Sequence, residues 1–206
     1  MTTAESRYQQ LRAHLHYLKL DAAAEALPAQ LEQARRSKLS HTAFLERLLE
    51  TEVTATEARR LAGRIRFASL PAPWALADFD FDAQPALDRQ TVDDLATLRF
   101  VEEHANLLLV GPPGVGKTML AVCLAREAAE RGHRVYYTSA ADLAARCHRA
   151  ALEGRWHTAM RFYAGPGLLV IDLCRHRDYA DILAVAGLSA LLLLGFRAVA
   201  PAGLSA

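Results

Sequence analysis

Apolar residues in the first third of the chain recur every three or four positions. Tyr8, Leu11, Leu15 and Leu18 form one series, and Phe44, Leu45, Leu48, Leu49 and Val53 form another, with charged residues between them. That period is helical, and it predicts an all-helical region from residue 1 to about 67 whose stripes make the core of a small bundle. Ser40 and Thr42 are suited to cap the second long helix, and Gly63 lies near its end. The pattern changes at Leu70-Pro71-Ala72-Pro73, where two prolines remove donors and favour extended backbone. Beyond it lies Asp78-Phe79-Asp80-Phe81-Asp82, then Asp88 as the expected cap of a helix running to about His104. Asn106-Leu107-Leu108-Leu109-Val110 is a short apolar run of the buried-strand type. From there strands and helices alternate. A helix over 117–131 ends at Gly132, and Arg134-Val135-Tyr136-Tyr137-Thr138 reads as a strand. Ser139 caps a helix over 140–152, a further helix covers 156–163, and Leu168-Leu169-Val170-Ile171-Asp172 is another apolar strand. Such an order predicts an α/β fold, a parallel sheet flanked by helices on both faces. The expected domains are a small all-α N-terminal domain over residues 1–70, a nucleotide domain over 71–178 and a distinct tail over 179–206.

Between the first apolar run and its helix stands Gly111-Pro112-Pro113-Gly114-Val115-Gly116-Lys117-Thr118, the pattern G-x-x-x-x-G-K-[ST] in full. Strand, glycine loop and helix is the context in which this pattern is a phosphate site. The glycines let successive N–H groups point at phosphate oxygens, and the helix start adds its positive dipole end. Lys117 is expected to reach the β- and γ-phosphates of a nucleoside triphosphate, and the Thr118 hydroxyl to ligate Mg²⁺. Four apolar residues deliver Asp172 at the C-terminal end of a strand, where ligands bind in open α/β sheets. Its carboxylate is the expected partner of Thr118 on Mg²⁺, directly or through water. Position 173 is Leu, which can neither accept a proton nor orient an attacking water. The residues thus predict the binding half of a triphosphate site without the usual hydrolytic half. Phe79 and Phe81, one residue apart, fit either the domain core or a contact with the nucleotide base.

Charge refines this picture only locally. The net charge is +1, which gives no overall pull toward nucleic acid or membrane. Basic residues gather at Arg59, Arg60, Arg64 and Arg66, and at Arg35, Arg36 and Lys38. Such a cluster is either a solvated helix face or a contact for DNA phosphates. Cys123, Cys147 and Cys174 are far apart and have no zinc-type spacing, which fits buried thiols in a reducing cytoplasm. The first 20 residues carry Glu5, Arg7, Arg12 and Lys19 without an apolar core segment, so no signal peptide is expected there.

From about Tyr17 to Asp172 the chain resembles the IstB-like helper ATPases of insertion-sequence transposition, a branch of the AAA+ P-loop proteins related to DnaA and the helicase loader DnaC. The resemblance lies in Leu18-Lys19-Leu20 with Ala23 to Leu27, and in the helix from Phe44 to Arg60. It continues through Leu76-Ala77-Asp78-Phe79-Asp80-Phe81, Asn106 to Thr118, Val135 to Thr138 with Ala141-Asp142-Leu143, and Leu168 to Asp172. It implies an ATP-binding accessory protein that works with a transposase on double-stranded DNA; members of the family self-associate, but without the C-terminal part that supplies half of each subunit contact no stable ring is expected here. It also gives Arg59, Arg60, Arg64 and Arg66 a use at DNA. A replicative helicase loader of the DnaC kind is the alternative within the same fold. A non-enzymatic adaptor acting through the N-terminal helices is the alternative outside it.

After Asp172 the family pattern resembles Asp-Glu-Leu-Gly-Tyr-Leu-Pro, whereas this chain reads Asp172-Leu173-Cys174-Arg175-His176-Arg177-Asp178. Residues 180–206 are rich in Ala, Leu and Gly, the composition expected of a GC-rich gene read out of frame. The resemblance therefore implies a sheet left incomplete at the C-terminus, with an unpaired edge and an exposed apolar run beside it. Ile182 to Phe196 is a run of 15 uncharged residues, shorter than the roughly 20 that a membrane span needs, so no membrane anchor is expected.

Overall fold

The computed structural model describes residues 3–85 and 87–173. Contacts divide the chain into two units, Met1–Ala62 and Gly63–Ala206. The division falls inside a helix, ahead of the proline segment at which the sequence pattern changes. The reason is packing: Ile65 and Ala68 join the core of the second unit.

The first unit contains α1 (Thr3–Tyr17), α2 (Asp21–Ser37) and the N-terminal part of α3 (His41–Ala68). The Ser40 hydroxyl accepts the Ala43 N–H at 3.2 Å, as an N-cap should. Leu15, Ala23, Ala24, Leu27 and Leu48 form the core, with Tyr8, Leu20, Leu31 and Phe44 around it. Only part of each predicted stripe is inside. Leu45, Leu49 and Val53 are exposed, as are Leu11 and Leu18. Three helices bury one stripe of α3, through Phe44 and Leu48, and the adjoining stripe at 45, 49 and 53 points elsewhere. Glu52 is a buried acid that accepts the Ala23 N–H at 2.9 Å and a guanidinium N–H of Arg59 at 2.7 Å. The Ala23 N–H, more than Arg59, holds its carboxyl below the ordinary value, while burial opposes the shift.

In the second unit α4 (Arg89–Ala96) and α5 (Arg99–Glu102) precede the phosphate loop. Asp88 caps α4, accepting the N–H groups of Gln90 and Thr91. The single helix expected to reach His104 breaks instead at Leu98, whose φ of 64° ends α4. Leu98 is almost wholly buried, so burial of its side chain holds a backbone conformation that leucine rarely adopts.

Then follow α6 (Lys117–Glu130), β1 (Val135–Ser139), α7 (Ala140–Leu152), α8 (Trp156–Ala164) and β2 (Leu168–Asp172). β1 and β2 pair in parallel with Val135 opposite Leu168 and Ser139 opposite Asp172. Residues alternate across this pair. Val135, Leu168 and Val170 pack with Ala125, Ala128 and Ala129 of α6, whose small side chains admit close approach. Tyr136, Leu169 and Ile171 pack with Leu143 and Cys147 of α7 and Tyr163 of α8. Helices thus cover both faces of a parallel pair, an α/β arrangement of the P-loop kind.

One predicted strand is not formed. Residues 106–110 pair with no strand among the described residues. Leu109 alone turns into the core, beside Phe79, Val92, Leu120 and Leu124, while Leu108 is 76% and Val110 83% exposed. Apolar character makes a run able to be a strand, but a ladder needs a neighbour.

Candidate nucleotide-binding site

The phosphate loop leaves the unpaired run at Gly111 and enters α6 at Lys117. Gly114 and Gly116 have φ of 84° and 83°, which side chains disfavour. Gly116 has a second constraint: a Cβ there would lie 3.2 Å from Cε2 of Phe79. Gly116 is the N-cap of α6 and supplies no side chain to its first turn, so the N–H groups of that turn remain for a phosphate. Residues Gly111, Pro112, Pro113 and Gly114 are exposed, whereas Val115, Gly116, Lys117 and Thr118 are half-buried. Lys117 folds back over the loop, its Nζ donating to Gly111 O at 2.9 Å and Pro112 O at 2.6 Å. The ammonium is therefore held inside the cradle by neutral acceptors that a phosphate anion can replace.

The sheet brings the second half of the site to the first. β2 ends at Asp172, and α6 packs on the same face. The Thr118 hydroxyl lies 3.2 Å from Asp172 Oδ2. Tyr137, on β1, donates its phenol to the same oxygen at 2.7 Å. Sequence reasoning did not single out Tyr137; its only signal was a polar-tipped aromatic in a strand beside the one that carries the carboxylate. A hydroxyl and a carboxylate converging at this spacing fit Mg²⁺. Adjacent oxygens around the octahedral ion are roughly 2.9 Å apart, given Mg–O distances of about 2.0–2.1 Å. Leu173, which follows Asp172, is 38% exposed and offers no carboxylate. Asp178 and Asp181, its acidic neighbours in sequence, lie outside the described residues.

Phe79 and Phe81 meet edge to face with ring centroids 5.0 Å apart. Phe79 is buried with Val92, Leu120 and Leu124 beneath Gly116. Phe81 is half-buried, with the Arg89 guanidinium 5.2 Å from its ring centroid. Of the basic residues on α3, Arg59 pairs with Glu52 and Arg60 with Glu57 at 3.6 Å. Arg64 donates at 2.7 Å to Ala129 O, near the C-terminal end of α6, where a cation suits the helix dipole. Arg66 is exposed. Cys123 and Cys147 are buried thiols; burial above all pushes Cys123 up to about 11. Among the described residues no group of three or more His, Cys, Asp or Glu could hold a metal, and no helix is long and apolar enough to cross a membrane.

The family profile described as IstB-like ATP binding protein matches residues 13–185, beyond Asp172 where the resemblance was expected to stop. A protein of Geobacillus stearothermophilus, named for insertion sequence IS5376 and for ATP binding, is 37% identical over 164 residues, which are 80% of this chain and 65% of that protein. One of Bacillus thuringiensis subsp. berliner, named likewise for IS232, is 32% identical over 82% of this chain and 67% of its own length. One of Pseudomonas aeruginosa, named for IS21, is 36% identical over 79% of this chain and 62% of its own. The chain thus spans about two thirds of the length of the curated relatives it matches. With its phosphate loop, its parallel strand pair and this match, the chain belongs to the IstB-like ATP-binding protein family.

Proposed function

We propose that the chain binds Mg–ATP and serves as an accessory protein of insertion-sequence DNA transposition in the cytoplasm, acting with a transposase on double-stranded DNA. The nucleotide reading is carried by one observation: Thr118 of the phosphate loop and Asp172 of β2 converge to 3.2 Å. Gly111 to Thr118 cradle the phosphates, and Lys117 exchanges two backbone carbonyls for phosphate oxygens. Thr118 and Asp172 hold Mg²⁺, which when bound neutralises charge on the β- and γ-phosphates. Phe79 supports Gly116 from below, leaving Phe81 as the ring able to meet the base. The transposition reading rests on the names of the relatives, which come from insertion sequences and not from replication.

Hydrolysis is the step this chain is poorly equipped for, because Leu173 stands where a carboxylate would orient water. That observation favours a second reading beside the first: an ATP-dependent adaptor that holds nucleotide without turning it over. For DNA, Arg60 and Arg66 are the better contacts. An exposed pair such as Arg60–Glu57 opens readily. Arg59 and Arg64 are engaged with Glu52 and Ala129.

Calorimetric titration of Mg–ATP into the full chain tests the nucleotide reading. Binding is expected in the wild type and about 100-fold weaker in Lys117→Ala, which loses the charge-assisted contacts of the ammonium. Equal affinities in the two proteins would sink it.

A further inference from the structure

The parallel register fixes where Tyr137 stands. Tyr137 is opposite Val170, so Asp172 is its diagonal neighbour on the α6 face, two residues nearer the strand ends. A tyrosine side chain spans that step. Its phenol reaches Asp172 Oδ2 at 2.7 Å, a donor distance typical of a hydroxyl on a carboxylate. The tyrosine is 7% exposed, so packing fixes the ring and makes the hydroxyl a stationary donor. Thr118 reaches the same oxygen out of the first turn of α6. Phenylalanine would fill the same space and leave the carboxylate without this donor. Neither the phosphate-loop pattern nor the strand-end aspartate calls for a tyrosine here.

We infer that Tyr137 is a positioning residue for the metal half of the site, holding the Asp172 carboxylate in the orientation that faces Thr118. The inference rests on the Mg–ATP reading above. An aspartate at a strand end can turn about two side-chain bonds, and a fixed donor selects one setting before the metal arrives. Groups that orient a ligand in this way commonly change metal affinity by about 10–100-fold when removed.

The test is the gain in ATP affinity that Mn²⁺ confers, measured as the ratio of dissociation constants in EDTA and in Mn²⁺. It is compared among the wild-type chain, Tyr137→Phe and Asp172→Ala. Tyr137→Phe is expected to lower the gain about tenfold while its affinity in EDTA stays within about twofold of wild type. Asp172→Ala is expected to abolish the gain. A gain unchanged in Tyr137→Phe but lost in Asp172→Ala overturns the role of Tyr137 and leaves the Mg–ATP reading standing. A gain unchanged in Asp172→Ala overturns that reading and the inference with it. An equal loss in EDTA and in Mn²⁺ for Tyr137→Phe makes the tyrosine merely structural and also overturns the inference.

Discussion

Residues 106–110 and Leu168–Asp172 have much the same composition, and they end differently. Each is a short run of branched aliphatic residues, mostly Leu, bounded by polar residues or glycine, and each delivers a functional group at its C-terminal end. Leu168–Asp172 pairs with β1 along its whole length and sets Asp172 beside Thr118. Residues 106–110 form no ladder among the described residues, and Leu108 and Val110 are exposed. The phosphate loop that follows residues 106–110 is therefore held chiefly by α6 and by Phe79 beneath Gly116, with Leu109 as its anchor on the near side. A hydrophobic pattern gives a segment the capacity to be a strand, and the supply of a hydrogen-bonding neighbour decides the outcome. The two halves of the candidate site accordingly rest on supports of different kinds.

The largest effect that would sharpen this contrast is expected at Gly116. Gly116→Ala places a side chain at φ 83° and drives its Cβ toward Phe79. We expect a destabilisation of about 1–3 kcal/mol, from left-handed backbone strain and local overpacking, together with weaker Mg–ATP binding. Thermal melting and titration read both. A variant as stable and as tight as wild type would mean that Phe79 does not support the loop.

A smaller effect separates the two runs directly. Val170→Ala removes methyl groups packed against α6 and is expected to cost about 1 kcal/mol. Val110→Ala trims a side chain that is 83% exposed, and surface changes of that kind stay within about 0.5 kcal/mol. Equal losses in urea unfolding would show that residues 106–110 are packed as firmly as β2, and the contrast would fail.

The smallest effect concerns pH and bounds the conditions for the other two. The folded-state carboxyl of Glu52 lies below the ordinary 4.5, chiefly because it accepts the Ala23 N–H. Its contribution to stability is therefore complete above the ordinary value and is lost as pH falls through the folded one. The first unit is expected to weaken below about pH 4.5, and Glu52→Gln to flatten that dependence. An unchanged acid profile in Glu52→Gln would assign the acid sensitivity elsewhere. The two runs are best compared above that pH.

Much of this was legible in the residues. Ser139 and Asp88 announced their helices because a side-chain cap is a local device, and Leu168–Asp172, read from its own apolar run, forms as expected because β1 supplies its neighbour. What was not legible depends on contacts distant in sequence. The left-handed Leu98 breaks a helix because its side chain is buried against α6 and β1. Leu45, Leu49 and Val53 continue a helical stripe, yet a bundle of only three helices has room for one such face. Tyr137 acquires its role from strand register, which no spacing within β1 reveals. The out-of-frame tail and the 15-residue apolar run expected from the sequence lie outside the described residues.

We propose a triphosphate site complete for binding that lacks the usual hydrolytic carboxylate. The most direct measurement is phosphate release under saturating Mg–ATP, with nucleotide occupancy read in the same sample. Near-full occupancy is expected, with release no faster than in Lys117→Ala controls, because Leu173 can activate no water. Release well above that control with Leu173 in place, or an empty site at saturating nucleotide, would contradict it.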